Sequence, residues 1–420
     1  MVTRSSVLSR FGHLPTLLAA NVGLATGLFV HAFLYNFYLE SLGYTALHFG
    51  RAQAALTAGG LVALLPAGRL VDRLGARSLT LLATLLAALG LAASALAQRE
   101  AAIYGASFLA GAGAASWRVG SGPLLLAVAP APERSRSFSW NVALLVAAGG
   151  VAFAGAGVLA DWLREHRLAA DAQGAHRIVL LLGALVTAAS ATILRRLPDA
   201  RPSAAPPTAA TAGASPTRAP AEPRLLALAG AVAVWMLAAA LVMPFFNVYF
   251  ARVHGLPVRT VGLVFGFAHV VTAGGLLASA EIAARRSPER ALRLWLVVPA
   301  IALVALALAP GVGVAVALYL VQGLVGPATN PLIDQLMLER ARPDRRGALS
   351  SWRNTATELS GVTGATIGGA VLASASFATL FGLAAGVAVL GACALIVALR
   401  VVRITEAAPA ADGSHVATTS

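Results

Sequence analysis

The sequence predicts an all-α integral membrane protein in which twelve transmembrane helices form two six-helix bundles. Three observations predict this fold class. Hydrophobic residues make up 58% of the 420 residues and charged residues only 11%, against roughly 25% charged in soluble domains. Apolar runs long enough to cross a bilayer recur along the chain. The second half of the chain also repeats local patterns of the first.

Twelve spans are predicted because a helix needs about 20 mainly apolar residues to cross the hydrocarbon layer. The first span follows Arg4 and Arg10 as a signal sequence would, but its apolar run is too long and lacks a clear small-residue cleavage site. We therefore expect it to remain as an uncleaved span. The predicted spans cover residues 15–40, 50–68, 78–97, 101–127, 138–160, 178–195, 225–250, 259–281, 292–309, 312–337, 348–373 and 376–400.

The basic residues are all arginine: the chain has 31 arginines, no lysine and a formal net charge of +14. They form short clusters between apolar runs rather than one basic face, which indicates membrane topology and not a nucleic-acid partner. The single cysteine, Cys393, excludes a disulfide framework and a cysteine-based metal site. We expect no cofactor and no metal site.

Orientation follows from the positive-inside rule, which counts basic residues near the ends of the spans. The side that holds both termini carries 23 of the 31 arginines and the opposite side carries seven, all near span ends, while Arg118 alone lies deep inside a span. The weakest point is the loop at 161–177, which holds three of the seven. The rule predicts cytoplasmic termini and a multi-pass protein of the inner (plasma) membrane.

The linker between the two halves is predicted from composition, because residues 197–224 contain seven of the 21 prolines and show no apolar periodicity. A disordered cytoplasmic segment is expected there and again at the C-terminus. The predicted organisation is a cytoplasmic N-terminus at 1–14, a first bundle at 15–196, the linker at 197–224, a second bundle at 225–403 and a tail at 404–420.

The internal repeat rests on matches that occur in the same order in both halves. Residues 57–61, Thr-Ala-Gly-Gly-Leu, recur letter for letter at 272–276, and Tyr-Asn-Phe-Tyr at 35–38 matches Phe-Asn-Val-Tyr at 246–249. A parallel repeat of six spans implies two bundles related by an axis along the membrane normal, with a cavity between them.

The loop between the second and third spans, at residues 68–77, carries a recognisable motif. It resembles the signature of the major facilitator superfamily, Gly-x-Leu-x-Asp-Arg-x-Gly-Arg-Arg/Lys, except that Ala76 stands where the pattern has a basic residue. The equivalent segment of the second half, 283–290, lacks the acid and both glycines. The matching residues are Gly68, Leu70, Asp72, Arg73, Gly75 and Arg77.

Physical reasoning gives the same loop a role as a gate on the cytoplasmic side. Asp72 is placed to accept hydrogen bonds from the N-terminal end of the eleventh span, where the helix dipole favours a carboxylate. That contact would close the cytoplasmic side and break when the bundles rock. The alternative is that these charges only stop transfer of the chain through the membrane.

Arg118, in the fourth span, is the most informative single residue because a guanidinium inside a span is costly unless it faces water, an acid or a substrate. The resemblance implies that spans one, four, seven and ten line the cavity, so it puts Arg118 beside the substrate path. We hypothesise that Arg118 binds an anionic group or balances a buried carboxylate. The alternative is an arginine that snorkels to the interface.

Further polar residues in the same four spans complete the predicted cavity wall. Their alternative roles are interfacial anchoring and helix packing. For proton coupling, which needs an acid that changes protonation between states, the candidates are Asp334 in the tenth span and Glu358 in the eleventh. The other cavity candidates are Asn36, Tyr38, Asn247, Tyr249, Gln322 and Asn330.

The predicted function is secondary active transport of a small organic solute by alternating access, as proton-coupled efflux of a metabolite or drug-like compound. An ion or substrate gradient is expected to drive it, because the sequence has no GxxxxGK[ST] phosphate-binding motif, and no enzyme motif such as HExxH stands out. The alternatives are uptake of an anionic nutrient bound by Arg118, or a non-transporting receptor of the same fold. The expected partners are the solute, a co-transported proton and the bilayer, with the protein acting as a monomer.

Overall fold

The structure is a computed structural model, and its first bundle consists of six helices joined by short loops. The structure describes residues 12–198, 223–285, 288–308, 311–341 and 346–406. The six helices are α1 (Leu14–Ser41), α2 (Ala46–Leu74), α3 (Ala76–Leu96), α4 (Glu100–Val128), α5 (Arg134–Glu165) and α6 (Ala172–Leu194).

The second bundle repeats this arrangement, except that its first helix is broken. A 3-10 turn at Met243–Phe245 divides α7 into α7a and α7b. The residues predicted to form the linker lie almost entirely outside the described residues, as does most of the predicted tail. The helices are α7a (Pro223–Val242), α7b (Phe246–His254), α8 (Val258–Arg285), α9 (Pro288–Ala307), α10 (Val312–Glu339), α11 (Arg346–Ser374) and α12 (Phe377–Glu406).

The predicted fold class is confirmed: the described residues form twelve long helices in two groups of six, with no strand among them. Ten of the helices are long and apolar enough to cross a membrane. The other two are α4, which contains Arg118 and many small residues, and α11, whose first turns are rich in polar side chains. Low hydropathy in these two helices indicates that they face something other than lipid.

Glycine sets the sharpest loop in the first bundle. Gly75 alone separates α2 from α3, and its φ of +83° is a conformation that side-chain-bearing residues rarely adopt. This glycine of the loop motif therefore permits the one-residue turn between the two helices.

Glycine also permits the close packing of α2 on α4. A Cβ atom at Gly59 would overlap the backbone of Phe108, and one at Gly111 would overlap the backbone of Leu56. In the second bundle, a Cβ at Gly275 would overlap the backbone of α10. The repeated Thr-Ala-Gly-Gly-Leu segment thus lies in both bundles where the second helix meets the fourth, an arrangement that small residues allow in membranes.

The two bundles meet mainly through α2 against α11 and α5 against α8. We call the face on which α1 begins and α12 ends the terminal face, and the opposite face the distal face. Gly50 packs on Gly369, and Gly157 packs on Gly262, so both contacts lie in the distal halves of the helices. Among the described residues, the hydrogen bonds and ion pairs between bundles lie at Arg118 or on its distal side. The molecule is therefore closed on its distal face.

Candidate functional site

An ion pair between the two bundles lies at the centre of the molecule. Arg118 Nη2 on α4 is 3.0 Å from Glu358 Oε1 on α11. The Arg118 side chain is 55% exposed and that of Glu358 is 21% exposed, so the guanidinium has free surface beyond the contact. The structure thus brings together the arginine and one of the two acids singled out in the sequence.

A buried hydrogen-bond network holds α4 in position next to this pair. The Trp117 indole nitrogen donates to Asn21 Oδ1 of α1 at 3.0 Å, and the Asn21 amide donates to Asn141 Oδ1 of α5 at 2.8 Å. Successive helical residues point about 100° apart, so a Trp117 held inside the bundle directs Arg118 away from it. Asn21 and Asn141 were not predicted from the sequence, although an amide within an apolar span is a detectable signal.

Glu358 is positioned by contacts of α11 with α2 and α7a. A Cβ at Gly60 of α2 would lie 3.9 Å from Glu358 Oε2. Ser360, half a turn further on, donates to the Ala233 carbonyl of α7a at 2.8 Å. Small neighbours on α2 and a fixed α11 backbone keep the carboxylate at the seam between the bundles.

Asp334, the second acid singled out, is paired within the second bundle. Its Oδ1 lies 2.6 Å from Arg353 Nε of α11. Asn330, one turn earlier on α10, has a buried Oδ1 without a hydrogen-bond partner in the described part of the chain. Of the two acids, only Glu358 forms an ion pair that crosses the seam among the described residues.

The break in α7 forms a second polar junction between bundles. Pro244 interrupts the helix because proline lacks the N–H and its ring disfavours continuation. The N–H of Val248 donates to Asn247 Oδ1 at 2.9 Å, and the Pro244 carbonyl accepts from the Asn36 amide of α1. Asn36 also donates to Asn247 Oδ1 at 3.1 Å, and Asn247 donates to the Phe33 carbonyl at 2.7 Å. The two asparagines matched in the repeat therefore contact each other.

Charged contacts close the distal face outside this junction. Arg252 of α7b lies 2.7 Å from Glu40 of α1. Asp161 of α5 accepts from the backbone N–H of Arg259 at the start of α8, at 3.0 Å. A carboxylate at a helix N-terminus is stabilised by the helix dipole, so these pairs favour the closed distal face.

Three predicted cavity residues lie inside the bundles. Tyr38 and Tyr249 are fully buried, and the Tyr249 hydroxyl is 3.1 Å from His254 Nε2. The Gln322 amide donates to the Pro299 carbonyl of α9 at 2.9 Å. These three side chains are therefore buried within the bundles, away from the Arg118–Glu358 pair.

The gate motif lies at the terminal face, where Asp72 and Arg73 are exposed. Arg77 donates from Nη2 to the Arg195 carbonyl at 2.7 Å, which ties the motif to the end of α6 in the same bundle. Within the described residues, Asp72 makes no hydrogen bond or ion pair with α11, so the expected contact is not formed in this conformation.

An aromatic cluster at the seam was not predicted. His269 of α8 lies between Phe29 of α1 and Phe153 of α5, with ring centroids 5.4 and 4.7 Å apart. Phe33 and Phe265 continue the cluster towards the distal face. Sequence reasoning missed it because phenylalanines within an apolar run are indistinguishable from lipid-facing residues.

Replacing Asn247 by alanine is expected to weaken the distal junction. The change leaves the Asn36 amide with one acceptor fewer and the Phe33 carbonyl without its side-chain donor, at a cost of about 1–3 kcal/mol. A lower midpoint of thermal unfolding and faster amide exchange around residues 243–250 are the measurements. Asn354→Ala, at an exposed site on α11, is the matched control. Equal midpoints for the two variants would contradict the prediction.

Together, two six-helix membrane bundles that meet at a central ion pair and close on one face define the architecture of a secondary transporter. The sequence matches the Major Facilitator Superfamily over residues 16–365. The chain belongs to this family, and the resemblance inferred from the gate motif is confirmed. No curated protein sequence is significantly similar to it.

Solved structures support the same fold. The chain is similar to a bacterial homologue of the human lysosomal transporter Spinster, in an inward-facing and occupied conformation, with a TM-score of 0.71, 14% identity, and 94% of this chain and 96% of that chain covered. The nucleoside transporter NupG, solved as a single-residue mutant, is similar with a TM-score of 0.72 and 13% identity, and the match covers 92% of this chain and 100% of that chain. The D-xylose-proton symporter is similar with a TM-score of 0.67 and 14% identity, and the match covers 92% of this chain and 98% of that chain. At these identities the likeness concerns the fold.

Proposed function

We propose that this protein exports a small organic solute in exchange for protons, and that the Arg118–Glu358 pair is its coupling element. The observation that carries the proposal is the 3.0 Å contact between these side chains, one from each bundle. A charge pair that spans the seam between two rocking bodies has different partners in the two states. It therefore meets the requirement for any group that couples a ligand to the conformational change.

The proposed cycle follows from charge balance at the seam. Protonation of Glu358 removes its negative charge and the attraction to Arg118, so the bundles separate more easily at this point. Loss of the proton restores the pair and favours the conformation described above. Within the described residues, no other ion pair involves either side chain, so neither charge has a second partner that would replace the first.

Asp72 is proposed to close the terminal face in the opposite state. It is exposed here, and the N-terminal end of α11 is an acceptable partner for a carboxylate. The positive-inside rule supports a cytoplasmic terminal face and both termini in the cytoplasm, in the plasma membrane. In that orientation the closed distal face is the extracellular one, so the solute would load from the cytoplasm, as export requires.

The rival proposal is uptake of an anionic solute. It is favoured by the 55% exposure of the Arg118 side chain, which leaves guanidinium donors available to a carboxylate or phosphate beside Glu358. In that case the solute would compete with Glu358 for the arginine, and a proton would not be required.

The experiment begins with cells that contain or lack the protein, compared for drug susceptibility and for intracellular and extracellular metabolites. The compound that differs most is then loaded into proteoliposomes, and its movement is recorded after a pH jump. Movement that follows the imposed proton gradient supports coupled export. An anionic compound that accumulates without a pH gradient supports the rival. A receptor without transport activity is indicated if no compound moves under either condition.

A further inference from the structure

We propose that a pocket at the terminal end of α9, α10 and α12 binds a phosphate-bearing anion, with a phospholipid headgroup as its expected source. The pocket is separate from the seam between the bundles, because all of its lining residues belong to the second bundle. It has a volume of about 130 Å³. Its lining residues are Glu289, Leu292, Arg293, Arg340, Ile396, Leu399 and Arg400.

Charge is the first argument. Arg293, Arg340 and Arg400 converge on the pocket, and Glu289 is the only acid lining it, so the described walls carry a surplus of positive charge. Arg340 is fixed: it pairs with Glu289, its Nη1 donates to the Leu399 carbonyl at 2.7 Å, and its side chain is only 9% exposed. Arg293 is 4.0 Å from Glu289 and 52% exposed. Arg400 is exposed and makes no hydrogen bond or ion pair within the described residues.

Three arginines and one acid around the same pocket favour an oxyanion over a neutral ligand. Guanidinium groups present several N–H donors in a plane, a geometry that matches the oxygens of a phosphate group. Arg340 is already held by the protein. Arg293 has only long contacts with Glu289, through the backbone carbonyl at 3.4 Å and the carboxylate at 4.0 Å, so it and Arg400 can turn towards a ligand. The first turn of α9 also begins at the pocket, where backbone N–H groups and the helix dipole add to the attraction for an anion.

The position of the pocket indicates a lipid. Exposed apolar residues run along α9 at Leu294, Val297 and Ile301, and along α12 at Leu390 and Val397. Such faces contact acyl chains in a membrane protein. The pocket lies at the terminal end of both helices, at the depth of the headgroups, and Leu292 and Ile396 provide an apolar wall below the arginines.

The test uses the full-length chain, delipidated in detergent, and native mass spectrometry. Dioleoylphosphatidylglycerol and dioleoylphosphatidylcholine are offered at equal concentration, with and without inorganic phosphate. The variant is Arg293→Gln with Arg400→Gln. The matched control is Arg134→Gln with Arg136→Gln, which removes the same charge from the exposed terminal end of α5.

The wild-type chain and the control are expected to retain phosphatidylglycerol in preference to phosphatidylcholine. The double variant is expected to bind it roughly thirtyfold more weakly, since each arginine near the membrane surface contributes about 1 kcal/mol towards an anionic lipid. Arg293→Lys with Arg400→Lys keeps the charge and is expected to retain most of the binding, which separates loss of charge from misfolding.

Displacement of the lipid by inorganic phosphate at comparable concentration would assign the pocket to free phosphate and keep the anion site. Equal retention of phosphatidylglycerol by the wild type and the glutamine variant would overturn the proposal. So would equal retention of the two lipids by the wild type. Neither result bears on the Arg118–Glu358 pair, so failure here is distinguishable from failure of the proposed export function.

Discussion

Replacing Arg118 by alanine is expected to lower proton-driven transport by about 30- to 150-fold. The change leaves Glu358 as an unpaired carboxylate at the seam between the bundles. Truncating one member of a desolvated charge pair costs about 2–5 kcal/mol, and the lower part of that range applies because the Arg118 side chain is 55% exposed. The rate of solute movement after a pH jump in proteoliposomes is the measurement.

Two further variants at the pair separate its possible roles. Glu358→Gln is expected to abolish the dependence of transport on the pH gradient, because an amide does not exchange a proton. The charge swap, Arg118→Glu with Glu358→Arg, restores the attraction and is expected to restore thermal stability. Recovery of stability without transport would identify Arg118 as a residue that contacts the solute.

The control for this series is Arg164→Ala, on α5 near the distal face. Arg164 lies 3.8 Å from Asp161 on the same helix, and its side chain is 52% exposed. Exposed pairs of this kind contribute little to stability. Unchanged transport by Arg118→Ala, with the control also unchanged, would remove this pair from the mechanism.

Replacing Gly50 by valine is expected to move the protein out of the distal-closed conformation. A Cβ atom at this position would overlap the Ala365 carbonyl oxygen and lie 2.9 Å from Gly369 Cα, so α2 and α11 would no longer approach closely. Overpacking of this kind costs about 1–3 kcal/mol in the closed state and nothing where the helices separate. The ratio of the two states should therefore change by roughly 5- to 150-fold.

Spin-label distances report this change directly. The single cysteine, Cys393, is replaced by serine, and label pairs are placed at Leu168 and Ala375 on the distal face and at Ser135 and Leu338 on the terminal face. In Gly50→Val, the distal pair is expected to move apart and the terminal pair to approach. Distances identical to those of the parent protein would show that this glycine contact does not control the equilibrium.

Two variants serve as references for the glycine substitution. Gly105→Val places the same side chain on α4, where no atom lies within 4 Å of the added Cβ, and should leave both distances unchanged. Asp72→Asn tests the proposed closure of the terminal face and should act in the opposite direction. Combined with Gly50→Val, Asp72→Asn is expected to return part of the population to the distal-closed state. The ratio of distal-closed to terminal-closed molecules should rise about two- to fivefold.

Local patterns explain why some site residues were predictable. Hydropathy is a property of each segment, so the spans were found without knowing their neighbours. A charge within an apolar run is equally visible, and this is why Arg118 and Glu358 were both identified. Their contact joins residues 240 positions apart, and nothing in either segment specifies the partner.

The rotation of each helix about its axis explains why some predicted cavity residues lie away from the Arg118–Glu358 pair. Gln322, Asn330 and Asp334 share a broad helical face, yet Gln322 hydrogen bonds to α9 while Asp334 pairs with α11. Tyr38 and Tyr249 matched each other in the repeat but are buried in packing. The break at Pro244 was also missed, because an apolar run of sufficient length on both sides reads as one span.

The sequence by itself determined the membrane environment, the helical class, the two-fold duplication and the family, because composition, hydropathy and a short loop motif are local properties of the chain. Only the tertiary structure decided which acid meets Arg118, which face of the molecule is closed and which polar residues lie inside the bundles. Those outcomes depend on helix rotation and on contacts between segments hundreds of residues apart. In a lipid-embedded protein, close packing and the satisfaction of buried polar groups determine both the rotation of each helix and its contacts with distant segments.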